Sequence, residues 1–485
     1  MKPSVTARPG LADRARAAIA DPELQRALGN VTAKLGLGSQ MIRTDPALIE
    51  LRRRGAAIRR EVLSDLDGWL ERLQAKLESL GVTVHRAATS EEARRVVVDI
   101  ARAEGVRIVV KSKSMATEEV HLNGALEAAG VEVVETDLGE YIIQLAHETP
   151  SHIIAPAVHK TVAQVSRLFS QAAGAPMGED RATLCAFARE RLREKFLSAD
   201  MGVTGANFVT VDTGTIVLVT NEGNGRMCTS LPRVHVAVMP VEKVIPRLAD
   251  LGVLLPLLTR SATGQPLSTY VSMITGPRRP GETDGPESLH VVFLDNNRRS
   301  LLGTAYEEML CCIRCGACLN VCPVYRRIGG HSYDAVYSGP MGAVLTPLLS
   351  GGTEGRDLPD ASSLCGACSE ACPVGIPLAD MLVRLRADLR RPGPVVPPAP
   401  SSSTWDSTPM TGRRAGFSAW ARLWASPAGY RLSTGAARRL SRLAPGGMAR
   451  RAPLVRGWAE GRDLPLPAPR SFRSHWAKRD QTGWS

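Results

Sequence analysis

Seven cysteines fall in two runs. Cys312, Cys315, Cys318 and Cys322 precede Pro323, and Cys365, Cys368 and Cys372 precede Pro373. The first run reads C-x2-C-x2-C-x3-C-P, the spacing with which bacterial ferredoxins hold cubane iron–sulfur clusters. Two residues between ligands let a short loop curl around a small inorganic core, so Cys312, Cys315 and Cys318 each reach a different iron. In two-cluster ferredoxins the cysteine before the proline turns to the other cluster. Applied here, Cys312, Cys315, Cys318 and Cys372 hold one cluster, and Cys322, Cys365 and Cys368 hold the second. Such centres carry out one-electron transfer.

The second set has only three thiolates. The place of a fourth, three residues before Cys365, is taken by Ser362. Serine ligates iron through oxygen less often and less tightly than cysteine. A three-iron cluster and a four-iron cluster with an open or unusual fourth site both fit. Cys311 competes for the first ligand position, but only Cys312 keeps the two-residue step to Cys315. Structural zinc also uses C-x2-C pairs, yet four ligands complete it and a third cysteine after another such step serves no purpose. Disulfides need an oxidising compartment. No apolar signal segment opens the chain, so a cytoplasmic protein is expected. Cys185 and Cys228 lie outside the runs and read as small core residues.

The elements that must position these loops alternate. Leu48 to Leu80 carries Ile58, Val62, Leu66, Trp69, Leu70 and Leu73 mostly at steps of three and four, which predicts one long amphipathic helix. Val82–Val84, Arg107–Val110 and Val131–Val134 read as strands, with helices over Glu91–Glu104 and Thr117–Ala129 between them. This alternation predicts an α/β domain, a mostly parallel sheet with helices on both faces. A helical stretch over Arg181 to Leu197, Val/Thr-rich Asn207 to Thr220, and strands at Val234–Met239 and Val291–Leu294 follow. Leu251 to Leu258 is apolar but short and contains Pro256, so it reads as a buried segment. No run of about eighteen apolar residues exists, so no transmembrane helix is expected.

The 485 residues then divide into an N-terminal segment (1–47), the α/β domain (48–300), a small helical two-cluster iron–sulfur domain (301–390), a Pro/Ser-rich linker (391–405) and a basic C-terminal extension (406–485). From residue 391 onward there are sixteen basic and four acidic side chains, so the whole formal excess of +12 sits in this tail, with six of the seven tryptophans. Arginine interleaved with tryptophan suits docking on a partner or on the protein's own body, peripheral contact with an anionic membrane or nucleic acid. The tryptophans are spread out and no dense basic block occurs. Docking is therefore the first reading and nucleic acid the last.

Lys111, Ser112, Lys113 and Ser114 follow a strand and precede a helix. Lysines and hydroxyls there favour an anion, such as a carboxylate or phosphate. The other reading is that the lysines are solvated and Ser114 or Thr117 caps the helix. Asp212–Thr215 and Asn221–Arg226 flank another strand. Their glycines suit tight turns, while Glu222 and Arg226 are candidates for holding a carboxylate substrate. No nucleophile–base pair and no dinucleotide fingerprint is present, so no catalytic residue is identified. His121, His147, His152 and His159 are scattered and read as core or surface residues.

Taken together, "VVKSKSMATEEV" (109–120), "TVDTGTIVLVTNEGNGR" (210–226), "CIRCGACLNVCPVY" (312–325), "SSLCGACSEACPVGI" (362–376) and "GRDLPLPAPRSFRSHW" (461–476) make the chain resemble the lactate-utilisation protein B family. That family fuses a lactate-utilisation domain to a ferredoxin-type 4Fe-4S segment, and its ligand set has the same seven cysteines. The resemblance implies an iron–sulfur electron-transfer subunit of a cytoplasmic system that oxidises L-lactate to pyruvate. It also implies two partners, a second iron–sulfur subunit and a smaller lactate-utilisation-domain protein, and a ribose-phosphate isomerase/CoA-transferase-like fold. Electron transfer from another 2-hydroxy acid or a quinone-linked donor is the nearest alternative. A redox sensor acting through the basic tail is the second.

Overall fold

The structure is a computed structural model that describes residues 9–29, 35, 43–391, 395, 412–443, 468 and 471–479. The chain forms two compact units, Met1–Pro400 and Ser401–Ser485. Most of the expected linker and much of the expected extension lie outside the described residues.

The first unit is built on a six-stranded sheet with the order β1-β10-β7-β4-β2-β3, every neighbouring pair parallel. Its strands are β1 (Thr83–Ala87), β2 (Ile108–Lys111), β3 (Glu132–Glu135), β4 (Met201–Thr204), β7 (Val234–Pro240) and β10 (Ser288–Leu294). Successive side chains of a strand point to opposite faces, and the core follows that rule. Val234, Val236 and Val238 of β7 pack with the helices Ser90–Ala103 and Leu122–Ala128. Ala237 and Met239 of the same strand pack on the other face with Leu66, Leu70, Leu73 and Leu77. The α/β architecture with a parallel sheet is thus as expected from the alternation.

A second sheet of four strands, β8-β5-β6-β9, was not foreseen. It comprises β5 (Phe208–Thr210), β6 (Ile216–Thr220), β8 (Val244–Ile245) and β9 (Tyr270–Ile274), and it is antiparallel except for the β5–β8 pair. The central strand β4 was also missed. All four of its residues are buried, so it lacks the apolar–polar alternation that marks a half-exposed strand.

The single helix expected over Leu48 to Leu80 is two helices, Pro46–Leu63 and Leu66–Ser79. The break has a local cause. Asp65 leaves helical geometry (φ −151°) and its carboxylate accepts the Gly68 N–H at 3.2 Å, capping the second helix. The helix expected over Thr117–Ala129 likewise splits, into Met115–Glu119 and Leu122–Ala128, at His121 with φ 50°. The apolar run at 251–258 is the start of a helix, Leu251–Thr263, that contains Pro256.

The cysteine segment does not form a separate core. Its buried side chains, Leu310, Leu319, Leu345 and Leu382 among them, belong to one apolar cluster with Phe208, Val217, Leu254 and Leu257 of the α/β part. The N-terminal helix Leu11–Ala20 joins the same cluster, with Arg14 Nε donating to the Ser332 carbonyl at 2.8 Å.

In the second unit, helices Gly412–Ala425 and Pro427–Leu443 meet through aromatic rings. Trp420 lies 4.8 Å from Trp424, and Trp424 lies 5.2 Å from Tyr430. Among the described residues no helix is long and apolar enough to cross a membrane.

Candidate metal centre

The two cysteine runs fold as local copies of one another. In the first, Arg314 takes φ 60° and Gly316 φ 77°, helix Ala317–Val321 follows, and Cys322 returns to extended backbone at φ −74°, ψ 118°. In the second, Leu364 takes φ 56° and Gly366 φ 81°, helix Ala367–Ala371 follows, and Cys372 stands at φ −68°, ψ 120°. Left-handed backbone at a non-glycine residue is uncommon and strained. Its occurrence at the same step of both runs marks a loop bent around something. At Gly316 a side chain would also meet Ile154 Cδ1 at 2.9 Å.

Four thiols converge on one cavity. Cys312, Cys315, Cys318 and Cys372 line it together with Ile153, Ile313, Met341, Val374, Ile376 and Leu378. Cys315, Cys318 and Cys372 are buried. Burial raises all three thiols, Cys372 to about 11, and neighbouring sulfurs of the same four add to the effect. Buried thiols held this close have no stable use as free acids. Bound iron would deprotonate them, and the apolar wall would keep water out. Backbone N–H groups already point at the sulfurs, Arg314 N to Cys312 Sγ at 3.4 Å and Ile376 N to Cys372 Sγ at 3.3 Å.

Cys322, Cys365 and Cys368 form the other group. Burial is the main influence raising Cys322 and Cys368, and the Cys365 and Cys322 thiols respectively act on them. Cys365 is exposed, and its thiol is lowered, first by a hydrogen bond from Ser363. Tyr333 packs in the same cluster at 1 % exposure, and its hydroxyl has no hydrogen-bond partner. A buried unpaired hydroxyl costs about 1–3 kcal/mol. A cluster sulfur beside Cys322 and Cys368 would supply the missing acceptor. The residues present therefore fit iron–sulfur centres, on their own geometry.

Cations surround the first cavity. Arg52 donates to the Cys372 carbonyl at 2.9 Å and the Glu370 carbonyl at 2.8 Å. Arg59, fully buried, spans the carbonyls of Val244 at 2.8 Å, Leu310 at 3.1 Å and Cys311 at 3.3 Å. Lys243 is lowered to about 7 by burial and by Arg314. Glu242 balances Arg314 and a further buried cation, Arg298. It lies 2.7 Å from Arg298 Nε and 2.9 Å from Arg314 Nη2. Arg298 also pairs with Glu119 at 2.6 Å, and Glu119 accepts the Tyr337 hydroxyl at 2.7 Å. This buried network ties the α/β part to the first cysteine loop. It left no pattern in the sequence, because its members are single charges far apart along the chain.

The candidate anion-site residues are distributed differently. Lys111 is fully buried, and its three donors go to Glu118 at 2.6 Å, Glu135 at 2.6 Å and Asn123 at 2.8 Å. Burial alone would lower this ammonium, but Glu135 and Glu118 outweigh it and raise it. Lys111 is neither solvated nor free to bind a ligand. Ser114 caps Met115–Glu119, accepting from Thr117 N at 3.3 Å. The Lys113 head is buried without a hydrogen-bond partner, and burial lowers it against the pull of Asp137, Glu140 and Glu222. Ser112 is buried near Gly225, where an added Cβ would lie 3.4 Å from its Oγ. Glu222 accepts from Leu138 N at 3.0 Å. The Arg226 guanidinium lies over the Tyr270 ring, 5.9 Å from its centroid. The cluster that results is dominated by acids.

Glu140 sits in that cluster at 3 % exposure, pushed up to about 8 by burial and then by Glu135. Between about pH 4.5 and about pH 8 the folded chain keeps a proton that the unfolded chain releases. This group therefore lowers stability as pH rises, by roughly 1.4 kcal/mol per pH unit. Glu140→Gln is expected to lose that slope. Its urea midpoint should gain on the wild type steadily from pH 6 to pH 8. A constant gap between the two proteins over that range would refute a protonated Glu140.

His152 and His159 each have a hydrogen-bond partner. His152 is buried, its Nε2 3.1 Å from Asn320 Oδ1, and its Nδ1 accepts from Ile154 and Ala155 N–H. His159 lies within reach of Glu148 and His331, a set whose ligand atoms fall within 4.8 Å of one another. Its members already pair among themselves and with Lys160 and the Thr149 carbonyl.

Three family models match the chain: a LUD domain over residues 70–294, a 4Fe-4S dicluster domain over 308–376, and the C-terminal region of lactate utilisation protein B over 400–481. A lactate utilization protein B of Oceanobacillus iheyensis is 45% identical over 430 residues, covering 88% of this chain and 87% of its own. The Bacillus licheniformis protein of that name is 52% identical over 330 residues, 68% of this chain and 69% of its own. An uncharacterized electron transport protein of Escherichia coli is 42% identical over 474 residues, 96% of each chain. Among solved structures, a DUF162 family protein from Deinococcus radiodurans aligns over 47% of this chain and 98% of its own, at 11% identity and a TM-score of 0.26, too low to carry an argument. With a LUD domain, a dicluster 4Fe-4S domain and the family's C-terminal region in order along one chain, this protein belongs to the lactate utilization protein B family.

Proposed function

We propose that the protein is the iron–sulfur electron-transfer subunit of a cytoplasmic complex that oxidises L-lactate to pyruvate. Cys312, Cys315, Cys318 and Cys372 hold one cubane, and Cys322, Cys365 and Cys368 hold the second. The observation that carries this reading is the apolar, cation-ringed cavity lined by thiols from both cysteine runs. Lactate oxidation releases electrons in a pair, and two one-electron centres can take them one at a time. The chain's own residues keep water from the first centre and offset its negative charge with Arg52, Arg59 and Arg314. Lactate oxidation is the work of the assembled complex. Its partners are a second iron–sulfur subunit and a smaller lactate-utilisation-domain protein. The exposed Trp420, Leu423 and Trp424 of the tail favour docking onto such a partner.

Anaerobic co-purification followed by a lactate-dependent reduction assay tests partners, clusters and substrate together. The expected result is a brown complex whose clusters are reduced on adding L-lactate and not glycolate. A colourless, zinc-loaded protein would sink the cluster reading, and reduction by glycolate alone would sink the substrate.

A further inference from the structure

The second set of thiols lacks a fourth member, and the pairing of the two runs shows what stands in its place. Arg314 matches Leu364, Gly316 matches Gly366 and Cys322 matches Cys372 in backbone geometry. By the same offset Cys312 matches Ser362. The correspondence extends to the side chains. The Arg314 N–H donates to Cys312 Sγ at 3.4 Å, and the Leu364 N–H donates to Ser362 Oγ at 3.1 Å. In both runs the donor is the left-handed residue two positions on. The loop that presents the first ligand of one centre is therefore built again, with oxygen where sulfur stands in the other.

The loop is also held in place from outside. Arg386 Nη2 donates to the Ser362 carbonyl at 2.9 Å, and Arg386 Nε donates to the Pro359 carbonyl at 2.9 Å. Ser363, Leu364 and Cys365 beyond it are exposed, so a proton leaving this end of the centre has a direct path to water. Other side-chain oxygens near these thiols are rivals, Ser363 beside Cys365 and Ser369 beside Cys368 among them. The Tyr333 hydroxyl is buried, unpaired and close to Cys322 and Cys368.

Resting on the two-cluster reading, we infer that Ser362 completes the second cluster by binding its fourth iron through Oγ. On ligation an Fe–O bond forms, the Ser362 O–H bond breaks and the proton passes to solvent, with no change in electron count. Tyr333 remains a phenol and donates a hydrogen bond to a sulfur of the same cluster. Without that oxygen the fourth iron has no protein ligand and becomes the one most readily lost on oxidation, which sets the readout.

The test uses the full chain, purified anaerobically and then exposed to a mild oxidant such as ferricyanide. Iron is counted and electron paramagnetic resonance spectra are recorded. The wild type and Tyr333→Phe are expected to keep about eight irons per chain. Ser362→Ala is expected to lose one of them and to show the spectrum of a three-iron cluster. Ser362→Cys is expected to keep all of them, with the midpoint potential of the second cluster shifted and that of the first unchanged. Ser362→Ala with the wild-type iron count and spectrum would overturn the assignment, as would loss of the iron in Tyr333→Phe instead. A wild type holding a single cluster would overturn the two-cluster reading and this assignment together. Two intact clusters with a silent Ser362→Ala would overturn the assignment alone.

Discussion

Cys372→Ala is expected to abolish the first cluster, although Cys372 belongs to the second run in sequence. Its sulfur shares a cavity with Cys312, Cys315 and Cys318, not with Cys365 and Cys368. Iron per chain should fall by about half, and the signal that survives should be that of the second cluster. Cys365→Ala should give the converse, loss of the second signal with the first retained. Because metal binding and folding share one free energy, losing the first cluster should also loosen the helices it ties together. Amide exchange should quicken over Ala317–Val321 and Leu378–Asp388. Spectra in which Cys372→Ala removes the second signal and keeps the first would show that each run closes its own centre.

The second large effect is expected at Glu242→Ala. This carboxylate is fully buried, 2.7 Å from Arg298 and 2.9 Å from Arg314. Its charged form is kept against the cost of burial by those two arginines and by Lys243. Removing it leaves cations in the core with one partner fewer, and breaking a buried pair this way costs about 3–5 kcal/mol. Arg314 is also the strained residue at φ 60° between two cluster cysteines. The variant should therefore unfold at lower urea and lose iron faster from the first cluster on mild oxidation. Removing Arg298 as well, in Glu242→Leu with Arg298→Met, should not recover the loss, because Glu119 and Arg314 are then both left buried without their ion-pair partners. A Glu242→Ala protein within about 1 kcal/mol of the wild type would show that the arginines find other partners.

Spacing along the chain was enough to determine the kind of cofactor. Ligand loops are local objects, and C-x2-C-x2-C-x3-C-P states their geometry in the sequence itself. The amphipathic helices and most strands of the parallel sheet were legible for the same reason, since period 3.6 and period 2 are local rules. Where the reading stopped, the cause was non-local. Strand β4 is buried on both faces, so its pattern has no period. Asp65 divides a helix whose apolar spacing runs on unbroken, because one side-chain hydrogen bond outweighs the pattern. Lys111 looked like a ligand-binding lysine in sequence. Only the pairing of β2 with β3 set Glu135 opposite it and made it a buried ion pair. Glu242, Arg298, Arg314 and Arg59 are charges spread over some 250 residues, and nothing short of the folded chain brings them beneath the first cysteine loop. The likeness of Ser362 to Cys312 needed both sources. The sequence put a hydroxyl at the vacant position, and the backbone folded that position like a ligand loop.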